Sequence, residues 1–237
     1  MPLTAFIVVG RALRALRKRV ARPLVNLVRT PRVLLRTARA SVVRFGAFEL
    51  ATDPQVFHPL CFSSSWIFTE RLRRRDLRGL RVLDMGTGAG PVAVVAAARG
   101  AAVTACDINP RAVELARANL SRNGLRGEVH ESDLFSALEG RVFDLICFNV
   151  PFYARDASTH YERAFFAGRG LETVRRFAAG CAAHLEETRG RVCIIFSEET
   201  DQPALFGAFE AAGFVVDDRQ VNRHNLEDFH TVSLRRR

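Results

Sequence analysis

Arg81-Val82-Leu83-Asp84-Met85-Gly86-Thr87-Gly88-Ala89-Gly90-Pro91 is the stretch on which the reading of the fold turns. Its first half, a short apolar run bearing one acid, predicts a buried strand. The glycines at 86, 88 and 90 predict a strand-to-helix turn, because a residue without Cβ accepts positive φ and lets the backbone approach a ligand. Pro91 suits the first turn of the helix that follows. The free N–H groups of that helix start face whatever lies against the turn.

Working outward, strands and helices alternate. Strands are expected at 81–85, 102–107, 128–131, 144–149, 192–197, 214–222 and 228–234. Helices are expected at 91–99, 110–123, 171–185 and 203–212. This alternation predicts a doubly wound α/β domain with a mostly parallel, seven-stranded, Rossmann-like sheet. The last two strands, joined by a short polar link, predict an antiparallel edge. Upstream, Ser63-Ser64-Ser65 offers an N-cap for a helix at 64–74. A short hairpin is expected over 46–59, turning at Asp53-Pro54 and returning through Val56-Phe57.

With 237 residues, 48% of them hydrophobic, the chain has room for one domain of roughly 180 residues and an extension. The division expected is a basic helical extension at 1–45 and the main domain at 46–237. Residues 1–48 carry eleven basic residues and no acid, so the net charge of +10 belongs to the extension. Leu13, Leu16, Val20, Leu24 and Leu27 recur there at helical spacing, interrupted by Pro23 and Pro31. Such an amphipathic segment suits packing on the main domain, or contact with RNA, an anionic surface or an acidic partner. The uncharged run from Ala5 to Gly10 is too short to span a membrane. The cysteines at 61, 106, 147, 181 and 193 lack CxxC spacing. They argue against a disulfide framework or a zinc site, and for a reduced, cytoplasmic protein with no metal.

The candidate chemistry clusters at strand ends. Asp84, Gly86, Thr87, Gly88 and Gly90 form the first turn. Asp107, followed by Ile108 and Asn109, closes the second strand, where a carboxylate accepts both hydroxyls of a ribose. Ser132-Asp133-Leu134-Phe135 follows the third strand, placing an acceptor for an adenine amino group beside an apolar wall. The alternative for Asp133 is a helix cap. The glycine spacing is G-x-G-x-G and not the G-x-G-x-x-G of pyrophosphate binding, and the acid at 84 suits a ligand with an ammonium group. The fourth strand ends in Asn149-Val150-Pro151-Phe152-Tyr153.

With these motifs together, the chain over 56–234 resembles the class I S-adenosylmethionine-dependent methyltransferases. Within them it is most similar to the small methyltransferase domain group, which includes the release-factor glutamine methyltransferases and several RNA guanine and adenine N-methyltransferases. Val56-Phe57-His58-Pro59 and Phe166-Ala167-Gly168-Arg169-Gly170-Leu171 also resemble segments of that group. The resemblance implies S-adenosylmethionine as cofactor and S-adenosylhomocysteine as its product. It implies an N-P-P-Y element at 149–152, from which this chain departs by Val150 in place of the first proline. In that element the Asn side chain, here Asn149, and the next carbonyl, here of Val150, accept hydrogen bonds from the target NH₂. The aromatic residue, here Phe152, stacks on a planar substrate.

The expected function is therefore methyl transfer to a nitrogen on a planar group, in a small molecule or a protein side chain. Alternatives are O-methylation of a metabolite, RNA base N-methylation, and a catalytically silent cofactor- or RNA-binding scaffold. For an oxygen acceptor His58 or His160 is the candidate base. Trp66, Tyr153 and Tyr161 are candidate pocket aromatics, and residues 153–170 a candidate substrate lid.

Overall fold

The computed structural model describes residues 30, 31, 33–224 and 226–237. The chain divides into two compact units, Met1–Arg39 and Ala40–Arg237. In the first, residues 33–37 are helical, and the Thr37 hydroxyl donates to the Val33 carbonyl at 2.9 Å. The leucine stripe expected over 13–27 lies outside the described residues.

The second unit begins with an antiparallel hairpin, β1 (Ser41–Phe45) and β2 (Phe48–Thr52). Helix α1 (Ser63–Arg73) follows, then β3 (Arg81–Met85), α2 (Pro91–Ala98), β4 (Ala102–Asp107), α3 (Pro110–Arg122) and β5 (Glu128–Glu131). The second half is β6 (Leu145–Asn149), the one-turn α4 (His160–Arg163), α5 (Glu172–His184), β7 (Arg191–Ser197), α6 (Gln202–Ala211), β8 (Phe214–His224) and β9 (Glu227–Arg236). Seven strands form one sheet in the order β5-β4-β3-β6-β7-β9-β8. β3 to β7 are parallel, and β9 runs antiparallel between β7 and β8. The antiparallel edge is thus a hairpin whose last strand is the inner one.

Both sheet faces are covered, as a parallel sheet requires. Leu83, Ile146, Ile194 and Phe196 face α5 and α6, where Phe177 and Phe209 are fully buried. Val82, Ala105, Cys147 and Ile195 face α1, α2 and α3. Strand alternation puts Asp84 on the same side as Val82, beneath α2.

Two expectations are corrected. The hairpin turns at Gly46-Ala47 and not at Asp53-Pro54; its first strand lies within 41–45, and Val56-Phe57 form no strand. Gly46, at φ 64, supplies the turn that Asp-Pro chemistry suggested further on. The N-cap of α1 is Phe62, with no side-chain bond; Ser64 and Ser65 are buried inside the helix.

Besides the buried Phe45 and Leu50, two asparagines one turn apart, Asn119 on α3 and Asn123 at its C-cap, hold the hairpin to the domain. Asn123 accepts from the Glu49 N–H at 3.0 Å and donates to its carbonyl at 2.8 Å. Asn119 does the same for Ala51, at 2.7 and 3.0 Å, and also donates to the Ala89 carbonyl at 2.8 Å. Their amides act as a surrogate strand partner for β2, and Asn119 ties the hairpin to the glycine turn. Asn119 is fully buried, so Asn119→Ala strands several backbone groups. We expect a loss of about 2–4 kcal/mol in equilibrium denaturation; a loss below roughly 0.5 kcal/mol would contradict the clamp.

Candidate functional site

The strand order reverses between β3 and β6, and a cavity opens beyond the carboxyl ends of the parallel strands there. Open α/β sheets bind their ligands at this position. The space is about 1120 Å³, part of it open solvent.

The first wall is the glycine turn. Asp84 is 3% exposed, and its Oδ2 accepts from the Thr87 hydroxyl at 2.6 Å and the Ala93 N–H at 3.0 Å. Burial pushes its carboxyl up to about 7, against the downward pull of those two donors. The glycines differ in why they are needed. A Cβ on Gly86 would lie 2.9 Å from Phe148 Cε2, and one on Gly90 would lie 3.2 Å from Ala116 Cβ. A Cβ on Gly88 would meet only Val56 Cγ1, at 4.0 Å, and both residues line the cavity. Protein packing demands glycine at 86 and 90; at 88 the space belongs to the cavity.

Asp107 ends β4 and accepts from the N–H groups of Gly88 and Asn109, each at 2.9 Å. Burial raises its pKa, opposed by the N–H groups of residues 109, 88 and 108 and by His160. Asn109 caps α3, accepting from the Arg111 N–H at 3.1 Å, and donates to the Gln55 carbonyl at 2.9 Å. That bond brings Gln55, Val56 and Phe57 to the cavity wall.

Ser132, Asp133 and Leu134 form the next wall. Leu134 has φ 54, a conformation costly for a branched residue, and Ser132 Oγ holds it by donating to its carbonyl at 2.7 Å. Asp133 caps no helix; its carboxylate pairs with Arg176 at 3.0 Å.

Asn149 ends β6 and closes the opposite wall with Pro151 and Phe148. Its Nδ2 donates to Ser64 Oγ at 3.1 Å, which leaves Oδ1 without a protein donor among the described residues. The roof is the loop 153–168. Its neck is zipped by the Tyr153 N–H to the Phe165 carbonyl at 3.0 Å and the Ala167 N–H to the Tyr153 carbonyl at 2.9 Å. The short α4 at its tip brings His160, Tyr161, Arg163 and Ala164 to the cavity. Phe165 packs on Phe57, Phe62 and Tyr161, fastening the roof to the first wall.

Of the residues singled out from sequence, Asp84, Gly86, Thr87, Gly88, Asp107, Ile108, Asn109, Asp133, Leu134, Asn149, Pro151, His160 and Tyr161 share this one cavity. Six do not line it. Gly90 caps α2 from behind the turn. Val150 is buried in the core and donates its N–H to Ile195. Phe152 packs at the core edge against Tyr153, and Tyr153 belongs to the loop neck. His58 is buried, its Nδ1 accepting from the Leu60 N–H. Trp66 lies edge-on to Phe45 and lines a separate groove. Sequence reasoning missed Arg163, Thr173 and Arg176. The signal for α4 was present: Thr159 precedes Glu162 by three, and the Thr159 hydroxyl accepts the Glu162 N–H at 3.1 Å.

Residues 48–217 match the family model of the methyltransferase small domain. The chain belongs to that family. A provisionally named protein N5-glutamine methyltransferase of Methanocaldococcus jannaschii is 29% identical over 182 residues, 74% of this chain and 89% of that protein. The ribosomal RNA small subunit methyltransferase C of Cronobacter sakazakii is 48% identical over 75 residues, 31% of this chain and only 22% of the relative. Among solved structures, a T. thermophilus 16S rRNA N2 methyltransferase in complex with AdoMet and guanosine superimposes with a TM-score of 0.64 at 24% identity, over 84% of this chain and 50% of that one. A ribosomal-protein methylase from Lactobacillus delbrueckii subsp. bulgaricus gives 0.60 at 20% identity, over 83% and 98%. The methyltransferase small domain uses S-adenosylmethionine as methyl donor, and this chain is an S-adenosylmethionine-dependent methyltransferase.

The methyltransferase's buried Asp84 has a pH consequence. Its pKa is raised from 3.8 to about 7, so the folded state holds a proton that the unfolded chain has lost. Stability then falls as pH rises from about 4 to about 7 and levels above it. Asp84→Asn removes this component. In ligand-free thermal unfolding the difference between variant and parent should move in the variant's favour across that window, by on the order of a few kcal/mol. A pH-independent difference would contradict the assignment.

Proposed function

We propose that the cavity holds S-adenosylmethionine along the glycine turn, and that Asn149 presents the acceptor as a nitrogen on a planar group of a protein side chain or a nucleic-acid base. Support comes first from the open side of Gly88, where an added Cβ would project into the cavity and meet protein only at Val56, at 4.0 Å. Asp107 carries the ribose hydroxyls, with Ile108 and Asn109 beside it; its carboxylate retains lone pairs beyond the two N–H groups it now accepts. Leu134 supplies the apolar wall for the adenine, and Asp133 an acceptor at its edge. Asp84 and Thr87 organise the ammonium end. The named substrates of the M. jannaschii and C. sakazakii relatives, glutamine and ribosomal RNA, fit a nitrogen acceptor.

The cofactor supplies an electrophilic methyl on its sulfonium. The chain's own part is to position and desolvate. Asn149 Oδ1, on the cavity wall, accepts an N–H of the acceptor, which orients the nitrogen lone pair toward the methyl. Ser64 holds the Asn149 amide in that orientation. Tyr161 and the aromatic roof exclude water. A nitrogen needs no strong base, and His58 is placed away from the cavity in any case. His160 stays beside Asp107 at the cofactor's end. The five buried cysteines, none in a disulfide, support a reducing, cytoplasmic setting. Among the described residues no helix is long and apolar enough to cross a membrane.

Two variants test the placement. Gly88→Ala, at φ 55, should cost about 1 kcal/mol of stability while lowering S-adenosylmethionine affinity at least tenfold by calorimetry. Unchanged affinity would remove the cofactor from the turn. Asn149→Ala should keep that affinity within about twofold and lower transfer of labelled methyl into bacterial protein or RNA fractions roughly 100-fold. The label should survive mild base, as N-methyl does and a methyl ester does not. Undiminished incorporation, or base-labile label, would overturn the nitrogen assignment.

A further inference from the structure

A second concavity lies between α1 and β8, outside the methyl-transfer cavity. Arg71 lines it from the helix, Arg74 and Arg75 from the turn just beyond it, and Arg223, paired with Asp228 at 4.0 Å, and His224 from the far end of the strand. Its two acids are already engaged: Glu70 by Arg73 at 3.2 Å and Asp218 by Arg71. Arg74 and Arg75 form no ion pair among the described residues. The unmatched charge of the groove is therefore positive.

Its floor is unusual in a second way. The Arg71 side chain is 11% exposed, and its Nε and Nη1 are buried with no hydrogen-bond partner among the described residues. Asp218, which Arg71 engages, is the register partner of Ser233 on β9. Ser233 Oγ and Thr231 Oγ1, two residues apart on that strand, are likewise buried and unpartnered. The buried Arg71 donors leave incompletely compensated positive charge beneath the groove, which an anion held by the more accessible Arg74 and Arg75 would feel through space.

The groove also adjoins the site. Trp66 lines it and is 38% exposed, whereas its neighbour Ser65 lines the methyl-transfer cavity and Ser64 bonds Asn149. Arginine forks match phosphate geometry, and an exposed indole offers a stacking face for a base. We propose that this groove binds the phosphodiester backbone of single-stranded RNA, with Trp66 receiving a base next to the nucleotide that enters the cavity. The inference rests on the methyl-transfer reading and names its acceptor class.

The test uses the full chain and a fluorescein-labelled, mixed-sequence single-stranded RNA 20-mer, read by anisotropy across a salt series. Arg74→Glu with Arg75→Glu should weaken binding at least tenfold and make the slope against log salt shallower by about two. The same charge change at Arg122, at the end of α3, and Arg126, in the loop after it, both exposed and outside the groove, should weaken it less than threefold. Trp66→Ala should weaken binding with the slope unchanged. Equal loss from both charge-reversed pairs, no loss from the first, or displacement of the RNA by polyglutamate but not by poly(U) would overturn the proposal. A calorimetric titration with S-adenosylmethionine runs alongside. Its failure on the parent chain would defeat the methyl-transfer reading, whereas normal cofactor binding without groove-dependent RNA binding would defeat only this inference.

Discussion

The buried carboxyl of Asp84 is the interaction on which the active end of the molecule depends. It sits one residue before the end of a doubly covered strand, where a lone acid is expensive. Its compensation is local, through the Thr87 hydroxyl and the Ala93 N–H, and those two bonds close the turn between β3 and α2. The turn is then held from two further sides, by Asp107 on the Gly88 N–H and by Asn119 on the Ala89 carbonyl. Three side chains from β3, β4 and α3 thus hold one short stretch of backbone, and the cavity is shaped by that stretch.

Much of this was legible in the sequence. The strands β3, β4 and β5 begin and end where the sequence predicts, because each is flanked by glycine, proline or charge. The three strand-end clusters at Asp84, Asp107 and Asn149 converge because a parallel sheet brings its carboxyl ends together at the switch point. Contacts that depend on side-chain amides at long range were not legible. Nothing local in Asn119 or Asn123 says that they pair with β2 some seventy residues earlier. The hairpin was misplaced for the same reason: Asp53-Pro54 is the stronger turn signal, but β2 is fixed by the asparagine clamp and turns at Gly46. Phe152, Tyr153, His58 and Trp66 look like pocket residues by type, yet core packing and the loop neck claim the first three.

The composition of the main domain, close to neutral over 49–237, gives no sign of a basic surface. The fold produces one by distribution: Glu70 of α1 and Asp218 of β8 are engaged in pairs, and, among the described residues, Arg74 and Arg75, just beyond α1, remain unpaired in the groove. The methyl-transfer cavity and this groove meet at the start of α1, where Ser64, Ser65 and Trp66 serve three different roles in succession. If both proposals hold, that helix would link orientation of the acceptor nitrogen to the surface that takes the rest of the acceptor.

The most direct measurement is calorimetric titration of the purified full chain with S-adenosylmethionine, S-adenosylhomocysteine and NAD in parallel. Micromolar binding of both sulfur ligands with no heat from NAD is the predicted result, since the G-x-G-x-G turn and Asp84 suit an ammonium and leave no pyrophosphate seat. Absence of binding by both sulfur ligands, or preferential binding of NAD, would contradict the assignment of the cavity.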